Sequence, residues 1–137
     1  MIIRSKDEVH TVEWGNGQSH RLLVEADGMG FALAYTVVTA GTQSKLQYRS
    51  HLEACYCISG KGEVIQADGE TTHIIEPGVL YALDRHDAHT LVAAQAEDLH
   101  LISVFNPPIK GDERHTLDSL GFSQYRRADD VAAGPDS

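Results

Sequence analysis

Ala54-Cys55-Tyr56-Cys57-Ile58-Ser59-Gly60-Lys61-Gly62-Glu63-Val64-Ile65-Gln66-Ala67-Asp68-Gly69-Glu70 is the stretch that decides the fold. A short apolar run ends at a glycine-rich break, Ser59 to Gly62, and a second run follows over Glu63 to Gln66. Ala67-Asp68-Gly69-Glu70 then supplies a hairpin signal, because Asp-Gly pairs tolerate the positive φ that tight turns require. The same grammar extends outward. Phe31 to Thr39 is apolar and β-branched, and Thr71 to Ile75 precedes the break Glu76-Pro77-Gly78. Val79 to Leu83, Thr90 to Ala94 and Leu99 to Phe105 close the series before Asn106-Pro107-Pro108. Short strands at such spacing, punctuated by Gly and Pro, predict an all-β sandwich or barrel. Amphipathic helix is scarce, with one short helical turn expected near Lys6 to His10. Residues 1–122 are expected to form a single barrel domain with a short N-terminal segment, and residues 123–137 a mobile C-terminal tail.

The chain has 137 residues, 42% hydrophobic and 23% charged, an ordinary globular mix that fits one domain. Its formal charge of -9 leaves no basic footprint for a nucleic acid or an anionic membrane surface. No apolar run approaches a spanning helix, and Met1 to Glu8 lacks the apolar core of a signal peptide. A cytoplasmic location is therefore expected. Cys55 and Cys57 lie two apart in a strand, a separation of roughly 7 Å, at the limit for an unstrained disulfide. Both are read as reduced and buried.

Two spacings carry the chemistry. In the first, Gly41 is followed by Gln47, Arg49, Glu53 and Gly60, with five, one, three and six residues between them. In the second, Gly78 precedes Asp84-Arg85-His86 by five residues, and His89 follows after two more. These resemble the two cupin signatures, which implies a jelly-roll β-barrel whose motifs meet inside the mouth. Glu53 and His89 fall at metal-ligand positions of the signatures. Gln47 and Arg49 replace the usual histidines, and Asp84 and His86 the usual Pro and Gly.

The wording of several segments narrows the resemblance. Asp27 to Phe31, Tyr48 through His51-Leu52-Glu53-Ala54, Pro77 to Asp84, His86-Asp87-Ala88-His89 and Val104-Phe105-Asn106-Pro107-Pro108 together resemble the ectoine synthase family, in order, from Met1 to about His115. The resemblance implies an iron-dependent lyase, typically a homodimer. It would close the ring of N-γ-acetyl-diaminobutyrate with loss of water, giving the compatible solute ectoine. By position, Glu53, Tyr81 and His89 match the family's metal ligands. Arg21, Thr36, Tyr48, His51, Phe105 and Glu113 match pocket residues, and Trp14 matches a pocket tryptophan at altered spacing from Arg21. Two hard oxygens and one nitrogen suit iron(II) or manganese, with zinc also admissible.

The roles implied are distinct. Arg21 would pair with the substrate carboxylate, while Trp14, Thr36, Tyr48 and Phe105 line the pocket. His51 or Glu113 would carry protons, with Tyr48 beside them. His86 reads as loop structure rather than ligand. The chain departs from the family at Gln43 to Gln47, at Ser103, where cysteine is often found, and after His115. The competing readings are a relative acting on another small acyl-diamine or amino acid, an iron oxygenase, and a sensor cupin that binds without turnover.

Overall fold

A computed structural model describes residues 1–111, 114–117 and 123–126. The strands are β1 (Thr11–Glu13), β2 (Gly17–Leu23), β3 (Ala32–Val38), β4 (Gln43–Leu46), β5 (Leu52–Ser59) and β6 (Gly62–Gln66). They continue with β7 (Thr72–Ile75), β8 (Leu80–Leu83), β9 (His89–Ala93), β10 (Leu99–Asn106), β11 (Arg114–Leu117) and β12 (Ser123–Arg126). They form two six-stranded sheets, ordered β1-β2-β3-β10-β5-β8 and β11-β12-β4-β9-β6-β7. The all-β jelly-roll barrel expected from the sequence is the fold observed. β12 falls within residues 123–137, the stretch read as tail, and pairs with β11 and in parallel with β4. Among the described residues no helix is long and apolar enough to cross a membrane.

Alternation makes the core. Along β3, Ala32, Ala34, Thr36 and Val38 are buried while their neighbours are half-exposed. β10 repeats the pattern with Leu99, Leu101, Ser103 and Phe105, and β5 with Glu53, Cys55 and Cys57. Successive strand residues point to opposite faces, so each run places one set inside the barrel. Both cysteines are free and buried, as expected. The Asp68-Gly69 turn between β6 and β7 is fixed by the Asp68 carboxylate, which accepts from the Glu70 and Thr71 amides, each at 2.8 Å.

The N-terminal segment forms a turn at residues 6–8, and the described residues contain one 3-10 helix, η1 (Glu25–Asp27), which the sequence reading did not foresee. The Arg4 guanidinium grips the Asp27 carboxylate in two bonds of 2.7 and 2.8 Å. That pairing, with the Val24 amide, holds the Asp27 carboxyl down at about 2.

Candidate metal centre and pocket

Glu53, Cys55 and Tyr81 are neighbours because β5 runs antiparallel to β8, with Cys55 directly opposite Tyr81. His89 begins β9 in the facing sheet, and its ring meets the Tyr81 ring edge-on at 6.2 Å between centroids. Glu53 is buried, and the barrel interior pushes its carboxyl up to about 8, chiefly because burial penalises the charge. The same desolvation drives the Tyr81 phenol well above its usual range and pulls the His89 imidazole down.

His89 carries the clearest mark of a ligand. Its Nδ1 donates to the Asp87 carbonyl at 3.0 Å, so Nε2 holds the lone pair. That Nε2 is buried and has no hydrogen-bond partner among the described residues. A buried acceptor left bare costs stability, and ligating histidines are oriented through their other nitrogen in this way. The donor set therefore fits a divalent ion held by Glu53, Tyr81 and His89. Among the described residues no three His, Cys, Asp or Glu side chains gather, so a tyrosine is needed to complete the set.

Some of the expected pocket residues gather at this corner, and Arg21 does not. Trp14, Thr36, Tyr48, Glu53 and Tyr81 line one cavity, together with Cys55 and Ser103. Its volume, about 20 Å³, suits one water and is too small for an acyl-diamine. Phe105 is fully buried, with the Tyr48 ring at 6.0 Å and the His51 ring at 6.1 Å, both edge-on. His51 donates from Nδ1 to the Pro107 carbonyl at 2.9 Å, which makes Nε2 the basic nitrogen of the neutral ring. Arg21 is buried on the inner face of β2 and lies at the floor of a second, outer pocket with Arg4, His10 and Lys110. His89 and Tyr81 also border a larger groove of about 920 Å³ beside β7 and β8. Of these three pockets, the small inner cavity holds the most of the expected residues. Glu113 lies outside the described residues.

His86, read as loop structure, is held by backbone carbonyls. It has a left-handed backbone at φ 55, and its Nδ1 lies 2.8 Å from the Tyr48 carbonyl and 3.1 Å from that of His51. It thereby ties the β8–β9 loop to the loop carrying two pocket residues. Sequence reasoning placed Thr36 in the pocket but missed the inner hydroxyls of Ser19 and Ser103 beside it. Thr36 Oγ1 and Ser103 Oγ share a hydrogen bond of 2.9 Å, and Ser103 reaches Cys55 Sγ at 3.5 Å. Ser19, opposite Thr36, is fully buried with its hydroxyl unbonded. The available signal was alternation: Ser19 and Arg21 share one face of β2.

The comparisons give the family and the fold. The family model described as ectoine synthase matches residues 1–124. The L-ectoine synthase of Desulfatibacillum aliphaticivorans is 44% identical over 124 residues, 86% of this chain and 94% of the relative. That of a Marinomonas species is 50% identical over 101 residues, covering 74% and 77%. Among solved structures, ectoine synthase from P. lautus superposes with a TM-score of 0.75 at 41% identity, covering 81% of each chain. A polyketide cyclase from Streptomyces resistomycificus shares the fold alone, at 18% identity and a TM-score of 0.67, over 80% of this chain and 84% of that one. A match along nearly the whole barrel, at this identity, leaves one assignment: the chain belongs to the ectoine synthase family.

Proposed function

We propose that this protein is an ectoine synthase, a lyase that cyclises N-γ-acetyl-L-diaminobutyrate to ectoine with loss of water. The reading rests on family membership, and one observation carries its chemistry: the bare, buried Nε2 belongs to a His89 ring that meets Tyr81 of the facing sheet, and Tyr81 shares a cavity with Glu53. Iron(II) is the metal we assign to that set, with manganese or zinc as substitutes. Bound there, the ion would supply Lewis acidity toward the amide oxygen.

The remaining work falls to side chains. Ring closure joins the free amine to the amide carbonyl carbon, and the carbonyl oxygen leaves as water. Arg21, buried on the inner face, would anchor the carboxylate with its planar fork. The amine must lose a proton to attack, and His51 Nε2, whose ring is fixed through Pro107, is suited to take it. Glu113 is the alternative carrier. Trp14 and Phe105 keep the reacting end dry, and Tyr48 and Thr36 offer hydroxyls for orientation.

A homodimer in the cytoplasm completes the proposal, with no nucleic-acid or membrane partner. Leu52, Tyr56, Ile58 and Leu80 stand exposed on β5 and β8, an apolar patch a second copy would cover. Light scattering on the purified protein tests that assembly.

The test of function is one anaerobic assay. Iron-loaded and chelator-stripped protein are incubated with N-γ-acetyl-diaminobutyrate, and product is followed by mass spectrometry and NMR. Iron-dependent loss of one water, with a cyclic amidine appearing, supports the reading. No turnover from folded, iron-loaded protein overturns it.

A further inference from the structure

The turn between β1 and β2 is bound to both sheets, and it carries the protein's single tryptophan. Trp14 belongs to this turn, with its amide donating to the Gly17 carbonyl at 3.1 Å. Its indole Nε1 donates to the Val37 carbonyl on β3 at 3.1 Å, and its ring forms a wall of the inner cavity. The close approach depends on Gly17, whose φ is +154: a Cβ there would strike the Val37 carbonyl and crowd the indole nitrogen.

Asn16 is the element that crosses between sheets. Its Nδ2 donates to Ser44 Oγ at 2.6 Å and to the Gln43 carbonyl at 3.2 Å, both on β4. Its own carbonyl accepts from the Thr39 amide at 2.8 Å, at the end of β3. β1 and β2 lie at the edge of one sheet and β4 lies in the other, so these bonds close a corner that no backbone ladder closes. Ser44 is buried on the inward-facing side of β4.

We propose that Asn16 is a positioning residue for the substrate pocket: by bonding the Trp14 turn to Ser44 and Gln43, it fixes the indole as the pocket's immobile wall. Asn16 touches no reacting atom; its effect passes through Trp14. The proposal builds on the ectoine synthase reading for its substrate, but not for its first readout.

The test uses Asn16→Ala, Ser44→Ala, the double variant and Asn16→Asp in the full chain. Acrylamide quenching of the lone indole is measured without substrate, so its outcome is independent of whether the protein makes ectoine. Losing a neutral hydrogen bond predicts a quenching constant raised about two-fold, and a KM raised about five-fold with kcat changed less. Ser44→Ala removes the same bond from β4, so the double variant should be little worse than Asn16→Ala. Asn16→Asp, which can still accept from the Ser44 hydroxyl, should recover part of the loss. Quenching unchanged in both single variants overturns the proposal, as does a Tm drop in both with indole exposure and KM unmoved. If Asn16→Ala fails to fold, Ser44→Ala alone decides by the same readouts.

Discussion

His89 donates from Nδ1 to the carbonyl of Asp87, two residues before it, across 3.0 Å. That single bond fixes the tautomer and leaves Nε2 buried, where nothing among the described residues accepts from it or donates to it. A backbone carbonyl so close in sequence makes the orientation a property of the β8–β9 loop itself. Burial pulls the imidazole below its usual value, while the bond to the Asp87 carbonyl works the other way.

Metal affinity should therefore rise with pH. Without metal, burial holds Glu53 protonated up to about 8, and the Tyr81 phenol stays protonated beyond that. Loading an ion expels these protons. Calorimetry in buffers of different ionisation enthalpy should show proton release, and Glu53→Gln should reduce it. The sign for stability follows from the raised carboxyl. Its contribution is full below the ordinary value of 4.5 and is lost as pH rises through about 8. Chelated protein should lose urea resistance between about pH 5 and about pH 8, and Glu53→Gln should flatten that decline. A pH-independent metal affinity would remove Glu53 and Tyr81 from the ligand set.

The strands legible in the sequence were those whose inward residues are apolar. β3, β5, β9 and β10 alternate in a way hydrophobicity detects, and their bounds fell within about two residues of those expected. β1, β2 and β4 were not read as strands. β2 turns Ser19 and Arg21 inward and β4 turns Ser44 inward, so the period is present but carried by polar residues. Asn16 was invisible for a different reason: a turn asparagine looks like any other until its partner on β4 is known. Glu53, Tyr81 and His89 were singled out by spacing and family wording, which are independent of hydrophobicity.

Ser103→Ala should cost about 1 kcal/mol of stability, the usual net worth of a neutral hydrogen bond, because Thr36 Oγ1 loses its 2.9 Å partner inside the barrel. Urea unfolding of metal-free protein gives the number. Ser103→Cys should cost less, since a thiol is a weak donor of similar shape. A variant as stable as the parent would show that water takes over the bond.

Gly60 ends β5 with φ +86, and a Cβ there would collide with the Asp98 carbonyl just before β10. Its amino acid is thus dictated by backbone approach rather than by chemistry. Gly60→Ala should destabilise by about 2 kcal/mol or more, combining left-handed strain with displacement of the β9–β10 loop. Metal content of the surviving folded fraction should be normal, since the contact lies at the far end of β5 from Glu53. Loss of metal at unchanged stability would contradict this.

The Arg4–Asp27 pair should act as an acid-sensitive clasp on the N-terminal segment. The Arg4 guanidinium and the Val24 amide hold the Asp27 carboxyl at about 2, below its ordinary value of 3.8. A depressed carboxyl contributes stability above its unfolded value and loses that contribution as pH falls through the folded one. Docking of residues 1–8 should accordingly weaken between about pH 4 and about pH 2. Both partners meet solvent, so the effect on global unfolding should be small and sensitive to salt. Hydrogen exchange localises it: amides of the N-terminal segment, including the Glu8 amide bonded to the Ser5 carbonyl, should lose protection first. Arg4→Ala should bring that loss to neutral pH and return Asp27 toward the ordinary carboxylate range, leaving the barrel amides protected. Equal protection in parent and variant would mean that the segment is held by other contacts, such as Lys6 over the Tyr35 ring at 5.5 Å.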